Sequence, residues 1–171
     1  MSEYARPVPD SIVDRVADGD VDVDLSHPAL YLNRELSMLE FQRRVLHEAL
    51  DERTPLLERA RFLGLFTKNV DEFFMKRVGG LKQQIDADVT EQTVDGRTPE
   101  KQWTEALETA RPMFERQIEC WREGVQPALA DAGVYVHDYD DLSDVQQSEV
   151  REYFERNVLP TLTPLSFDPA H

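Results

Sequence analysis

Between Leu36 and Gly133 the apolar residues return every three or four positions, and this period limits what the chain can fold into. Such spacing makes helices with one buried stripe each, and stripes of that kind must be covered by one another. In the first run, Ser37 and Glu40 stand at capping-box spacing, and Met38, Leu39, Phe41, Val45, Leu46, Ala49 and Leu50 form a broad face. Thr54-Pro55 reads as an N-cap with proline at the first helical position, opening a run buried through Leu56, Leu57, Ala60, Leu63 and Phe66. A third helix is expected to begin near Asn69, with Glu72 three residues on, and to run through Phe73, Phe74, Val78 and Leu81 toward Ile85. Thr98-Pro99 repeats the capping device before a long helix marked by Trp103, Leu107, Ala110, Phe114, Ile118, Trp121 and Val125. Pro112 is expected to kink that helix, and Gly133 to end it.

The flanks differ from this centre. Residues 1–30 contain VADGDVDVDLSHP, whose period of two suggests a strand, but every second residue is an aspartate that solvates well and packs poorly. A disordered acidic leader is expected there. After Gly133, Val134-Tyr135-Val136 reads as a short extended piece, Ser143 and Gln146 cap a further helix, and Pro160 ends it. The closing LPTLTPLSFDPAH is extended and punctuated by proline, as if the chain were cut within a domain. The expected fold class is mainly α: an antiparallel helical bundle over 31–133, then the truncated start of an α+β domain over 134–171.

Charge narrows the partners. The net charge is −15, with 2 basic and 7 acidic side chains in residues 1–30, 10 of each in 31–88, and 7 basic and 17 acidic in 89–171. A face that grips nucleic acid through its phosphates is basic, so a nucleic-acid partner is not expected. A small anion needs only a local cluster of donors, and the neutral block is where one would sit. No apolar run approaches the roughly 20 residues of a membrane span, and the N-terminus lacks the basic start and apolar stretch of a secretory signal. The lone Cys120 permits no internal disulfide, which fits a reducing cytoplasm.

Chemistry-bearing residues are few. His27, His47, His137 and His171 include no pair at metal-ligand spacing, and no glycine-rich phosphate loop is present. Asp71 and Glu72, about 100° apart on a helix, do not converge as a carboxylate pair, so ion pairing with Lys76 or Arg77 is the expectation. Arg34, Arg43, Arg44, Arg59, Arg61 and Arg77 are candidates for a phosphate cradle, although each has Glu or Asp at nearby helical spacing. Three consecutive large apolar residues, Phe73, Phe74 and Met75, cannot all face one core, which hints at an interface.

Three runs occur together: YLNRELSMLEFQRRVLHEAL, TPLLERARFLGLFTKNVDEFFMKRV and the distant LPTLTPLSFDPAH. The combination resembles the polyphosphate kinases of the first type, which move phosphate between ATP and polyphosphate. The features that carry it are Arg34-Glu35-Leu36-Ser37 with Leu39 and Phe41, Arg44-Val45-Leu46, Pro55 to Arg59, Phe62-Leu63, and Asn69 to Met75 with Arg77-Val78. The likeness runs from about Tyr31 to His171 and is weak between roughly 86 and 140. Met38 stands where the family commonly has an aromatic residue.

The resemblance implies an enzyme of four domains, in which an N-terminal helical domain and a head domain flank two phospholipase-D-like domains bearing a phosphorylated histidine. None of the four histidines here has the His-x-Lys context of that residue, so no catalytic residue is expected in this chain. Asn69 matches the family's nucleotide-contacting asparagine, and its amide suits an adenine edge or a ribose hydroxyl. The plain alternative is that Asn69 only caps a helix. Magnesium is implied for the full-length enzyme, with no ligands in this segment, and so is a homo-oligomer. A rival reading is a non-catalytic acidic helical module that binds a protein partner. The reading frame beyond His171 separates the two: two His-x-Lys segments are expected for the enzyme, and a stop codon with no downstream partner for the module.

Overall fold

The structure, a computed structural model, describes residues 26–163. Most of the expected disordered leader and the last eight residues lie outside the described residues. The described chain forms two compact units, one ending at Leu129 and the next beginning at Ala130.

The first unit is a helical bundle. A 3-10 turn, Pro28–Leu30, leads to α1, Arg34–Leu50; α2 is Leu56–Phe73, α3 Gly79–Asp86, α4 Pro99–Glu119 and α5 Gln126–Asp131. Two π-helical turns sit within it, Phe74–Val78 joining α2 to α3 and Cys120–Val125 joining α4 to α5. Helix α1 packs on α2 and α4, and α3 packs on α4. That α1 and α2 run antiparallel follows from three cross-links that descend in step. Arg77 donates to Glu35 (2.9 Å and 2.5 Å), Asn69 to Gln42 (3.0 Å), and Arg59 to the Ala49 carbonyl (2.8 Å).

Two apolar clusters fill the bundle. Leu46, Ala49, Leu63, Phe66, Val70, Met113, Cys120, Val125 and Leu129 form the larger, and Leu39, Phe73, Val78, Ala106 and Ala110 the smaller. Phe74 and Phe114 pack against both. Phe114 also meets Phe66 edge-on at 5.7 Å between centroids, a geometry that adds to simple burial.

The helix starts differ from the expectation in instructive ways. Helix α1 is capped by Asn33, not Ser37: the Asn33 Oδ1 accepts from the backbone N–H groups of Glu35 (3.0 Å) and Leu36 (3.1 Å). Ser37 and Glu40 lie inside the helix, since an Asn one turn earlier satisfies the orphan donors first. Pro55 is itself the residue before α2, with no side-chain cap. No helix begins at Asn69; α2 passes through it, because Leu63, Phe66, Val70 and Phe73 continue one buried stripe without a glycine or proline to stop it. Thr98 does cap α4, accepting from Lys101 N–H at 3.3 Å, and α4 remains a single helix across exposed Pro112.

The buried stripes are also narrower than the apolar lettering. On α1 the buried positions are Glu35, Leu39, Gln42, Leu46 and Ala49, while Phe41 is 50% exposed. Leu57 on α2 is 69% exposed and Ile118 on α4 is 49% exposed. In α4 the buried side is Gln102, Ala106, Thr109, Ala110 and Met113, a face turned away from Leu107 and Ile118 toward smaller side chains. Small residues suit the close packing of α4 on α1.

In the second unit, Gly133 takes φ +83° where the chain leaves α5, a left-handed conformation that suits glycine. A 3-10 turn, Tyr139–Asp141, precedes α6, Asp144–Tyr153. Its capping box forms as expected: Ser143 Oγ accepts from Gln146 N–H (3.4 Å) and Gln146 Oε1 accepts from Ser143 N–H (3.0 Å). A π turn, Phe154–Val158, and a 3-10 turn, Leu159–Thr161, follow. No β-strand occurs among the described residues.

The rotated stripes give a direct test. Phe66→Ala should destabilise the bundle by about 3–5 kcal/mol through lost burial and an unfilled cavity, whereas Leu57→Ala should stay within about 0.5 kcal/mol. Urea unfolding followed by far-UV circular dichroism reads both; equal losses would contradict the packing described.

Candidate functional site

Two polar clusters stand out in the first unit, and only one contains a residue singled out from sequence. Asn69 lies in the C-terminal half of α2, half-buried, and donates from Nδ2 to Gln42 Oε1 at 3.0 Å. Among the described residues no donor reaches its Oδ1. Because Asn69 is mid-helix and not the cap of a new helix, its backbone N–H is used within α2, and no helix-start field favours an anion at this position. The functional group it offers is the side-chain amide alone.

The neighbouring charges are largely spoken for. Glu72 pairs with Lys76 one turn on, and that contact holds the Glu72 carboxyl below its ordinary pKa. Arg77 pairs with Glu35 across the helices, so the two expected ion-pair partners divide between different acids. Arg43 pairs with Glu40 (3.2 Å), Arg61 with Glu58 (3.4 Å), and Arg59 holds the end of α1 through the Ala49 carbonyl. Of the six candidate cradle arginines, Arg34, Arg44 and Arg59 form no ion pair among the described residues; Arg44 lies over the Phe41 ring at 5.6 Å. No three His, Cys, Asp or Glu side chains gather into a metal site among the described residues. Phe73 is buried, Phe74 half-buried, and Met75 is the member of the trio that stands out, 74% exposed.

The second cluster was read from sequence only as an Asp95-Gly96 turn. The turn is there, with Gly96 at φ +77° and its Cα face against Pro28, where a Cβ would come within 3.3 Å. It also places a buried ionic network. Asp95, its side chain 3% exposed, accepts from Arg97 (2.5 Å), Thr93 (2.5 Å) and Asn33 (3.2 Å). Asn33 donates as well to Gln102 (3.1 Å), and Arg97 reaches on to Glu105 on α4 (2.7 Å). Asp-Gly spacing announces a turn, but nothing local shows that the aspartate will face inward; that depends on Asn33, 62 residues away. A cleft of about 310 Å³ opens beside this network, lined by Tyr31, Leu32, Leu36, Phe41, Arg44 and Arg97 among others; Asn69 is not in its wall.

Burial alone would raise the Asp95 pKa, but hydrogen bonds from Thr93, Arg97 and Asn33, with the charge of Arg97, outweigh it and hold the carboxyl below its ordinary value of 3.8. The network is structural by this geometry: every charged member is paired inside the fold.

With that geometry in view, comparison with known proteins is specific. The family model of the polyphosphate kinase N-terminal domain matches residues 31–137, and the chain belongs to this family. A polyphosphate kinase of Synechocystis sp. is 49% identical over 149 residues, which cover 87% of this chain and 20% of that protein. Polyphosphate kinases of Thermosynechococcus vestitus (42% over 149 residues, 87% of this chain, 20% of that protein) and Mycobacterium marinum (45% over 141 residues, 82% and 19%) are also similar. The chain spans about one-fifth of the length of these curated relatives. Among the described residues no helix is long and apolar enough to cross a membrane.

The Asp95 network makes stability depend on acid. Its carboxyl is stabilised in the ionised form by folding, so that contribution is complete above the ordinary value of 3.8 and is lost as pH falls through the lower folded value. Asp95→Ala, which leaves buried Arg97 with Glu105 as its one remaining ion-pair partner, should cost about 2–3 kcal/mol at neutral pH. It should also flatten the acid limb of a stability–pH curve measured by urea unfolding; an unchanged acid limb would contradict the assignment.

Proposed function

We propose that this chain is the N-terminal helical domain of an ATP–polyphosphate phosphotransferase and forms one wall of its nucleotide pocket. In this reading residues 31–133 are the helical domain, and residues from 134 on open the head domain. A histidine elsewhere in the full-length enzyme attacks the terminal phosphate of ATP and passes it to the end of a polyphosphate chain. The histidine–phosphorus bond forms as the bond to ADP breaks, and the reverse order regenerates ATP. Assembly of the full-length enzyme as a homo-oligomer in the cytoplasm belongs to the same proposal.

The observation that carries the reading is Asn69: it falls inside the matched family segment, in the run Asn69-Val70-Asp71-Glu72-Phe73-Phe74-Met75, with an amide that reaches the surface and has an unused acceptor. An amide offers a donor and an acceptor together, which suits a base edge or ribose hydroxyl. Electrostatic stabilisation of the transferring phosphoryl group, including any supplied by magnesium, is assigned to the rest of the enzyme.

Asn69→Ala in the full-length enzyme should raise KM for ATP by about three- to tenfold, the value of one or two hydrogen bonds, with little change in kcat. Residues 1–171 alone should make no polyphosphate from ATP. Steady-state kinetics with radiolabelled ATP reads both, and an unchanged KM in the variant removes Asn69 from the site.

A further inference from the structure

On that reading Asn69 must present its amide in a fixed direction, and the residue that fixes it lies on another helix. We infer that Gln42 is a positioning residue for ATP binding, acting through its hydrogen bond to Asn69. Gln42 occupies the buried stripe of α1 between Leu39 and Leu46 and is itself 6% exposed. A leucine would serve packing better at such a position, since a buried amide costs free energy unless it is hydrogen-bonded. Its hydrogen bond is the one from Asn69 Nδ2, at 3.0 Å.

The arrangement differs from that of another interhelical amide in the unit, Gln117. Gln117 spends its Nε2 on the Leu63 carbonyl (3.0 Å) and on Thr67 Oγ1 (2.5 Å), both within the fold, as a structural link does. The Gln42–Asn69 pair is a single hydrogen bond from Asn69 Nδ2 to Gln42 Oε1, and half-buried Asn69 has no donor on its Oδ1 among the described residues. Gln42 is buried on the α1 stripe between Leu39 and Leu46, each a member of one packed cluster, so its hydrogen bond restricts the rotamer freedom of Asn69 before ligand arrives. With the glutamine oxygen accepting from Nδ2, the asparagine oxygen is left uncommitted to the fold.

The test uses the full-length enzyme, with KM for ATP and kcat measured for Gln42→Leu, Gln42→Glu, Asn69→Ala and the Gln42→Leu/Asn69→Ala double variant, and thermal unfolding as a check on folding. Gln42→Leu should raise KM for ATP about two- to tenfold, the weight of one hydrogen bond, with kcat within about twofold. In the Asn69→Ala background it should add nothing, since its effect passes through Asn69. Gln42→Glu, an acceptor of the same reach, should keep KM near that of the unaltered enzyme. If Asn69→Ala raises KM and Gln42→Leu does not, the positioning role is overturned and the nucleotide contact stands. It is equally overturned if Gln42→Leu raises KM as much in the double variant, or if Gln42→Glu behaves like Gln42→Leu. If Asn69→Ala leaves KM unchanged, the nucleotide contact itself fails, and the positioning role with it.

Discussion

The amide of Asn33 is the joint on which the bundle turns. Its oxygen closes the first turn of α1 by accepting two backbone N–H groups, and its nitrogen donates to Asp95 and Gln102. One side chain thus fixes where α1 starts and ties both the 93–97 turn and the first turn of α4 to it. Asp95 and Arg97 are ionised and buried, a pairing tolerable only because each has several partners. Removing a member weakens the compensation of charges held in low dielectric, so the network specifies a single arrangement of α1 and α4 more than it adds net stability.

From that joint the rest of the α1–α2 pair follows as a ladder. Glu35–Arg77, Gln42–Asn69 and Ala49–Arg59 lie at successive heights, with Leu39 and Leu46 between the rungs. The bottom rung is ionic, the top uses a backbone carbonyl, and the middle is a pair of neutral amides. Two of these rungs are explained by the fold: Arg77 neutralises a nearly buried glutamate, and Arg59 satisfies a carbonyl at a helix end. The middle rung has no such need, because apolar residues at 42 and 69 would join the helices as well. The π turn at Phe74–Val78 lies directly beyond it and resets the helix so that Val78 and Leu81 face inward again. Without that extra residue per turn, the stripe ending at Phe73 would drift off the core.

How much of this was legible in the sequence depends on the range over which each interaction acts. The three-to-four period, the Thr98 and Ser143 caps and the Gly133 stop are local, and the sequence alone locates them correctly. The α1 and α2 starts were misplaced because several residues there satisfy the same spacing rule, and competition among them is decided by what lies across the bundle. Ser37–Glu40 has the right spacing for a capping box, yet Asn33 wins because Asp95 and Gln102 hold it in place. The widths of the buried stripes were overread for the same reason: Phe41, Leu57 and Ile118 are apolar letters on the outer side, and Gln42 and Thr109 are polar letters on the inner. Asn69 could be chosen only through a family likeness; its partner Gln42 could not be chosen at all, since nothing within one helix pairs residues 27 apart.

The charge pattern constrains what such a wall can contribute to phosphoryl transfer. Residues 31–88 carry 10 basic and 10 acidic side chains, the one stretch of an otherwise acidic chain that is not repulsive to a nucleotide. Yet most of the candidate arginines there are engaged within the fold, by Glu35, Glu40, Glu58 or the Ala49 carbonyl, and each such contact lowers the field available to a phosphate. A site meant to stabilise developing charge on a transferred phosphoryl group needs preorganised cations or N–H donors aimed at it. The surroundings of Asn69 offer a neutral amide and no helix N-terminus. On the proposed reading, the division of labour follows from this: the helical domain holds the uncharged end of ATP by shape and hydrogen bonding, and the triphosphate is held by cations on other domains. A wall of that kind affects how tightly ATP binds far more than how fast the phosphate moves, because contacts to base or ribose are equally strong in ground and transition states.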